Sequence, residues 1–291
     1  MKFAAIGLAF ILGLGQGASL AAEGQVAVVA AENFYGDIAR QIGGDRVAVI
    51  SIMNNPDQDP HLFETTPAVV RQLAGAQIVV LNGANYDPWM DKLLAAVPRA
   101  GRTVISAAQI TGRKAGDNPH LWYDPVTMPS VATALAGALA KADSAHASDY
   151  AARLKATLAV LERIAERVAQ IKAKHAGTAV TATEPVFGPM TEALGLTMRN
   201  QRFQLAMMND TEPSARDVAA FEKDLREHKV KVLIYNSQVS EKLTERLREV
   251  ASQAKVPVVG VTETMPPNVS FQDWVLGELD ALDKALSEPN S

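Results

Sequence analysis

Two histidines sit in nearly the same local sequence, His61 in DPHLFETTP and His120 in NPHLWYDP, each directly preceded by proline. Proline restricts its own φ and the residue before it, so both imidazoles ride on a stiffened backbone. Each falls in a loop after a run that reads as a strand, Val47 to Met53 for His61 and Thr103 to Ser106 for His120. Glu184 and Glu263 directly follow two further runs, Thr178 to Thr183 and Pro257 to Thr262. Ligands of parallel α/β sheets bind beyond the carboxyl ends of strands, where all four residues fall. Two neutral imidazoles and two carboxylates balance a divalent cation, and their mixed nitrogen and oxygen character suits Mn²⁺, Fe²⁺ or Zn²⁺. Taken singly, a Pro-His pair is an ordinary turn, and an acid after a strand commonly faces the dipole of the next helix.

The flanking residues leave choices open. Asp59 and Asp124 can orient an imidazole N–H or simply form turns, and Glu64 lies beside them. Trp89, Trp122 and Phe187 read as packing residues. His146, His175 and His228 lie on or at the ends of polar helix faces and receive no metal role.

The elements that must position these side chains alternate. Val26 to Ala31 reads as a strand and Asn33 to Ile42 as a helix closed by Gly43 and Gly44. Strand Val47 to Met53, helix Thr66 to Ala76, strand Ile78 to Asn82, helix Pro88 to Val97 and strand Thr103 to Ser106 follow. From Ser144 to His175 one long helix carries Tyr150, Leu154, Leu158, Leu161, Ile164, Val168 and Ile171 on a stripe. Alternation then resumes to the end of the chain. The expected fold is α/β, with two lobes, each a mainly parallel sheet with flanking helices, joined by one long rigid helix. The boundaries read as 22–143, 144–176 and 177–291. A single packed helix restricts the lobes to small tilts, so the site must be largely preformed.

Composition narrows the partners. Of 291 residues, 28 Lys and Arg stand against 32 Asp and Glu, with no basic block to bind nucleic acid or anionic lipid. There is no cysteine, which excludes disulfides, thiolate ligands, iron–sulfur clusters and a lipid-modified cysteine. Lys2, the apolar run Phe3 to Leu14 and the small residues of GASLAAEG read as a signal peptide, 1–21, with cleavage expected after Ala21 or next after Ala22. The expected location is the periplasm, without a lipid anchor.

The segments DPHLFETTP, NGANYDPWMDKLL, NPHLWYDP and TEPVFGPMTEALGL, with the long central helix, resemble the cluster A-I, zinc/manganese-type, substrate-binding proteins of metal ABC transporters. The resemblance covers essentially the whole mature chain. It implies a receptor, not an enzyme, with Mn²⁺ or Zn²⁺ as cargo, Fe²⁺ also open, a membrane permease as partner and a monomeric state. It implies His61 and His120 as ligands from the first lobe. The family's third ligand is histidine in many zinc receptors and glutamate in many manganese receptors, and Glu184 occupies that position. The fourth is normally aspartate, where this chain has Glu263. The His- and acid-rich loop of many zinc receptors is replaced by a short GRKAGD before Asn118.

Two other classes compete. A metal-dependent hydrolase also uses two histidines and a carboxylate, although no HExxH motif, nucleophile elbow or phosphate loop is present. An organic-solute receptor on the same scaffold predicts a cleft with aromatic and hydrogen-bonding walls.

Overall fold

The computed structural model describes residues 24–55, 63–239 and 241–288. The expected signal peptide, Asp59 and His61 lie outside them.

The first strand, β1 (Val26–Glu32), is buried along its whole length, as a parallel strand covered on both faces must be. It pairs in parallel with β2 (Val47–Met53) and β3 (Ile78–Leu81), and β3 pairs with β4 (Thr103–Ser106). The second sheet is built from β5 (Ala179–Ala182), β6 (Thr197–Arg199), β7 (Leu233–Asn236) and β8 (Val258–Val261), again all parallel. The two orders, β2-β1-β3-β4 and β6-β5-β7-β8, are the same pattern. The sequence carries no convincing repeat, yet the topology repeats.

The helices of the first half are α1 (Asn33–Gly43), α2 (Pro67–Gly75), α3 (Pro88–Ala96), α4 (Ala107–Thr111) and α5 (Thr127–Ala142). Then comes α6 (Ala147–His175), whose 29 residues span about 44 Å at 1.5 Å each. Its buried residues include Tyr150, Leu161, Ile164, Val168 and Ile171 of the expected stripe, while Leu154 and Leu158 pack partly buried against the core. Ser144–His146 form a 3-10 turn, so the α-helix starts slightly later than expected. The second half carries α7 (Gly188–Ala193), α8 (Gln201–Met208), α9 (Ala215–Arg226), α10 (Lys242–Gln253) and α11 (Phe271–Ser287). Among the described residues no helix is long and apolar enough to cross a membrane.

α6 packs against α1 and α5 on one side and α11 on the other, and one apolar core runs from Val26 to Leu286 through both lobes. Polar stitches cross the seam as well. The Asn33 side chain donates to the Met265 carbonyl at 2.7 Å and accepts the Met265 N–H at 3.1 Å. Asp37 accepts the Phe271 N–H at 2.9 Å.

A third stitch fixes a proton. The Tyr123 hydroxyl oxygen lies 2.7 Å from the Thr262 carbonyl and 2.7 Å from Glu278 Oε2. The hydroxyl has one proton and the carbonyl can only accept, so both bonds form together when Glu278 is a neutral acid that donates to Tyr123. Burial agrees, pushing the Glu278 carboxyl up to about 8. A raised folded-state pKa contributes stability at low pH that is lost as pH rises through the folded value. Stability should therefore fall by about 1 kcal/mol between pH 7 and pH 9 from this group, or a few degrees in melting temperature. Thermal melts of wild type and Glu278→Gln at both pH values check this, because the variant should lose that part of the decline.

Candidate metal-binding site

The seam between the carboxyl edges of the two sheets holds the polar residues. His120 leaves the loop after α4 and is 1% exposed; Glu263 follows β8 and is 2% exposed. His120 Nε2 lies 3.5 Å from Glu263 Oε2, too long for a hydrogen bond, and this buried nitrogen has no hydrogen-bond partner among the described residues. Two ligands each about 2.1 Å from one ion at a tetrahedral angle stand about 3.4 Å apart, so this pair has the spacing of neighbouring donors.

The imidazole is held in one tautomer. Asn118 Oδ1 lies 2.7 Å from His120 Nδ1 and also accepts the His120 backbone N–H at 3.1 Å. The amide cannot be reversed without loss, since its Nδ2 donates to the Pro185 carbonyl of the other lobe at 2.8 Å. Nδ1 therefore carries the proton, and the Nε2 lone pair faces Glu263.

Glu184 follows β5 and is half-buried. Asn236, the last residue of β7, joins it to the other carboxylate by donating from Nδ2 to Glu184 Oε2 at 3.1 Å and to Glu263 Oε1 at 2.7 Å. Tyr86 donates across the seam to Glu263 Oε2 at 3.2 Å. Burial first, and then the Glu263 carboxylate, hold the Tyr86 phenol well above the usual range. Behind Glu263, the Gln238 side chain accepts the Thr264 N–H at 3.0 Å. His120 and Glu263 thus meet directly, with Glu184 linked through Asn236. Among the described residues no group of three or more His, Asp or Glu side chains closes into a cage.

Asp124 accepts the Val126 N–H at 3.2 Å and pairs with Arg113 at 3.3 Å, so it forms a turn and Asn118 is the acceptor for the imidazole. Glu64 is exposed, and Trp89, Trp122 and Phe187 are buried packing residues. His146 and His175 pair with Asp143 and Asp283, while His228 takes a positive φ of 51° just after α9. The residues missed are Asn236, Tyr86, Asn118 and Gln238. The rule of strand exits, applied to the run Val230 to Asn236, singles out Asn236; Asn118 opens the NPH triplet itself.

The two parallel-sheet lobes thus bring a nitrogen of one toward carboxylates of the other. A family model for zinc-uptake complex component A, periplasmic, matches residues 28–285, and the chain belongs to that family. Among curated relatives, the manganese-binding lipoprotein MntA of Bacillus subtilis is 29% identical over 113 residues, 36% of this chain and 37% of the relative. The iron-binding protein YfeA of Yersinia pestis is 31% identical over 96 residues, 31% of this chain and 30% of the relative. The chain thus aligns with roughly a third of the length of these relatives. The periplasmic zinc binding protein TroA from Treponema pallidum shares the fold, with a TM-score of 0.78 at 20% identity over 91% of this chain and 100% of that one.

The tautomer can be checked directly. Nitrogen NMR of metal-free protein labelled in histidine should show His120 protonated at Nδ1 in its neutral form, and Asn118→Ala should turn this into a mixture of tautomers.

Proposed function

We propose that this protein captures one divalent metal ion between its lobes, with His61, His120, Glu184 and Glu263 as ligands, and delivers it to the membrane permease of an ABC importer. The observation that carries this reading is the buried His120 Nε2, which has no hydrogen-bond partner among the described residues and lies 3.5 Å from Glu263 Oε2. A buried acceptor without a donor is costly, and a cation between nitrogen and carboxylate removes the cost. The cargo is Mn²⁺ or Zn²⁺, with Fe²⁺ also open, since the donors are nitrogen and oxygen alone and the named relatives differ in metal. The protein works in the periplasm as a monomer and performs no bond chemistry.

The lobes, 22–143 and 177–291, tilt about the segment 144–176, and the stitches across the seam keep that tilt small. An organic solute is the weaker reading. The cavity of about 470 Å³ that opens beside Asn118 and Pro185 has no aromatic side chain in its lining, and such walls are what an organic solute would need.

Metal-stripped protein should melt higher when Mn²⁺ or Zn²⁺ is added. The gain is about 4 kcal/mol when free metal is a thousand times Kd, and it shrinks at acid pH as protons compete for the ligands. His120→Ala should remove most of this gain while leaving the metal-free melt close to wild type. A gain of the same size in His120→Ala would refute the assignment.

A further inference from the structure

Glu32 ends β1 and is 1% exposed, yet among the described residues neither of its carboxyl oxygens has a hydrogen-bond partner of normal geometry. The group against it is another acid, Asp87, whose oxygens already accept the N–H of Asn82 at 2.7 Å and of Gly83 at 2.8 Å. Two buried carboxylates side by side cannot both stay ionised. One proton resolves the arrangement: placed on Glu32 and donated to Asp87, it removes a charge and satisfies an orphan oxygen. We propose that Glu32 is a protonated positioning residue of the metal site, and that its bond to Asp87 holds the 82–87 loop in the form that delivers Tyr86 to Glu263.

The loop needs such support. Gly83, Ala84 and Asn85 take three successive positive φ values of 76°, 53° and 67°, a run that side chains other than glycine disfavour. A Cβ at Gly83 would stand 2.8 Å from Ser106 Oγ, so the loop also lies hard against the end of β4. Asp87 pins the start of this run, although as the residue before α3 its usual task would be to cap that helix. Tyr86, one residue before Asp87, then reaches Glu263 Oε2 at 3.2 Å. Asn82 faces the other way, accepting the Tyr35 O–H at 2.8 Å and donating at 2.8 Å to the carbonyl of Pro119, the residue before His120. One loop thus bears on both His120 and Glu263, and Glu32 stands behind it.

Among the described residues, the titratable surroundings of Glu32 are acidic or phenolic. Asp87 lies beside it with Asp91 beyond, and Tyr35 and Tyr86 face it, the latter with Glu263 on its far side. Burial first, then Asp87, push the Glu32 carboxyl well above its ordinary range, and burial raises Asp87 to about 6. Because the folded-state value is raised, the support is complete at pH values below the ordinary carboxyl range and is lost as pH rises through the folded value. Ionisation of the pair therefore weakens the site from the alkaline side, opposite in sign to ligand protonation.

The proposal rests on the metal-receptor reading, and the experiment separates the two. Zn²⁺ affinity is measured by competition with a chelator from pH 6.5 to 9.5 for wild type, Glu32→Gln, Glu32→Leu and His120→Ala. Infrared spectra of the metal-free proteins at pH 7 report protonated carboxyl groups. The Glu32→Gln amide can still donate to Asp87, so this variant should bind at pH 7 much as wild type does and lose the alkaline decline. Glu32→Leu should bind about 10–100-fold more weakly, the usual cost of a lost supporting contact. Both variants should lack one carboxylic-acid band that wild type shows. Glu32→Gln binding as weakly as Glu32→Leu, keeping the wild-type alkaline decline, or losing no infrared band would overturn the proposal. Should wild type and His120→Ala bind equally, the receptor reading fails, while the infrared band still decides whether Glu32 holds a proton.

Discussion

A carboxylate and an imidazole buried together at the seam of two lobes set the terms for everything around them. Glu263 and His120 are almost wholly removed from water. An ionised carboxylate in such a place requires hydrogen-bond donors or a cation. Neutral donors come from both lobes, Tyr86 from one and Asn236 from the other, and Glu263 Oε2 lies 3.5 Å from His120 Nε2. Neutral donors stabilise the charge without cancelling it.

The same constraint explains the stiffness of the seam. A site whose ligands come from two lobes holds its spacing only when the lobes hold theirs, and here a shared apolar core, α6 and backbone-directed side chains all bridge the gap. Asn118 does two jobs with one amide, setting the imidazole tautomer and tying the first lobe to Pro185. Lobe position and imidazole orientation thus share a single side chain.

Much of this was legible in the residues. β-branched runs announced seven of the eight strands, and the exits of those runs pointed to His120, Glu184 and Glu263. β6 escaped because three mostly exposed residues carry no periodic signal. α5 escaped because TMPSVATALAGALAKA is rich in Ala, with Pro129 near its start and Gly137 within it, and its apolar residues are not confined to one face. Asn236 and Tyr86 were hidden for a different reason: neutral polar residues after strands are common turn formers, and only a carboxylate on the far side of the seam gives them a role. Asp124 stood open between two roles, and the backbone of its own turn takes its carboxylate while Asn118 meets the imidazole.

The two sheets share one strand order, and this gives the seam an internal asymmetry of chemistry on a nearly symmetric frame. The first half offers nitrogen through His120, and the second offers oxygen through Glu184 and Glu263, each on the backbone of its own sheet. In the proposed site the nitrogen and oxygen donors are therefore separate inheritances. On the proposed assignment, a substitution at the strand exits of one sheet retunes one class of donor while the other keeps its support, so metal preference would drift along one axis without the site being rebuilt.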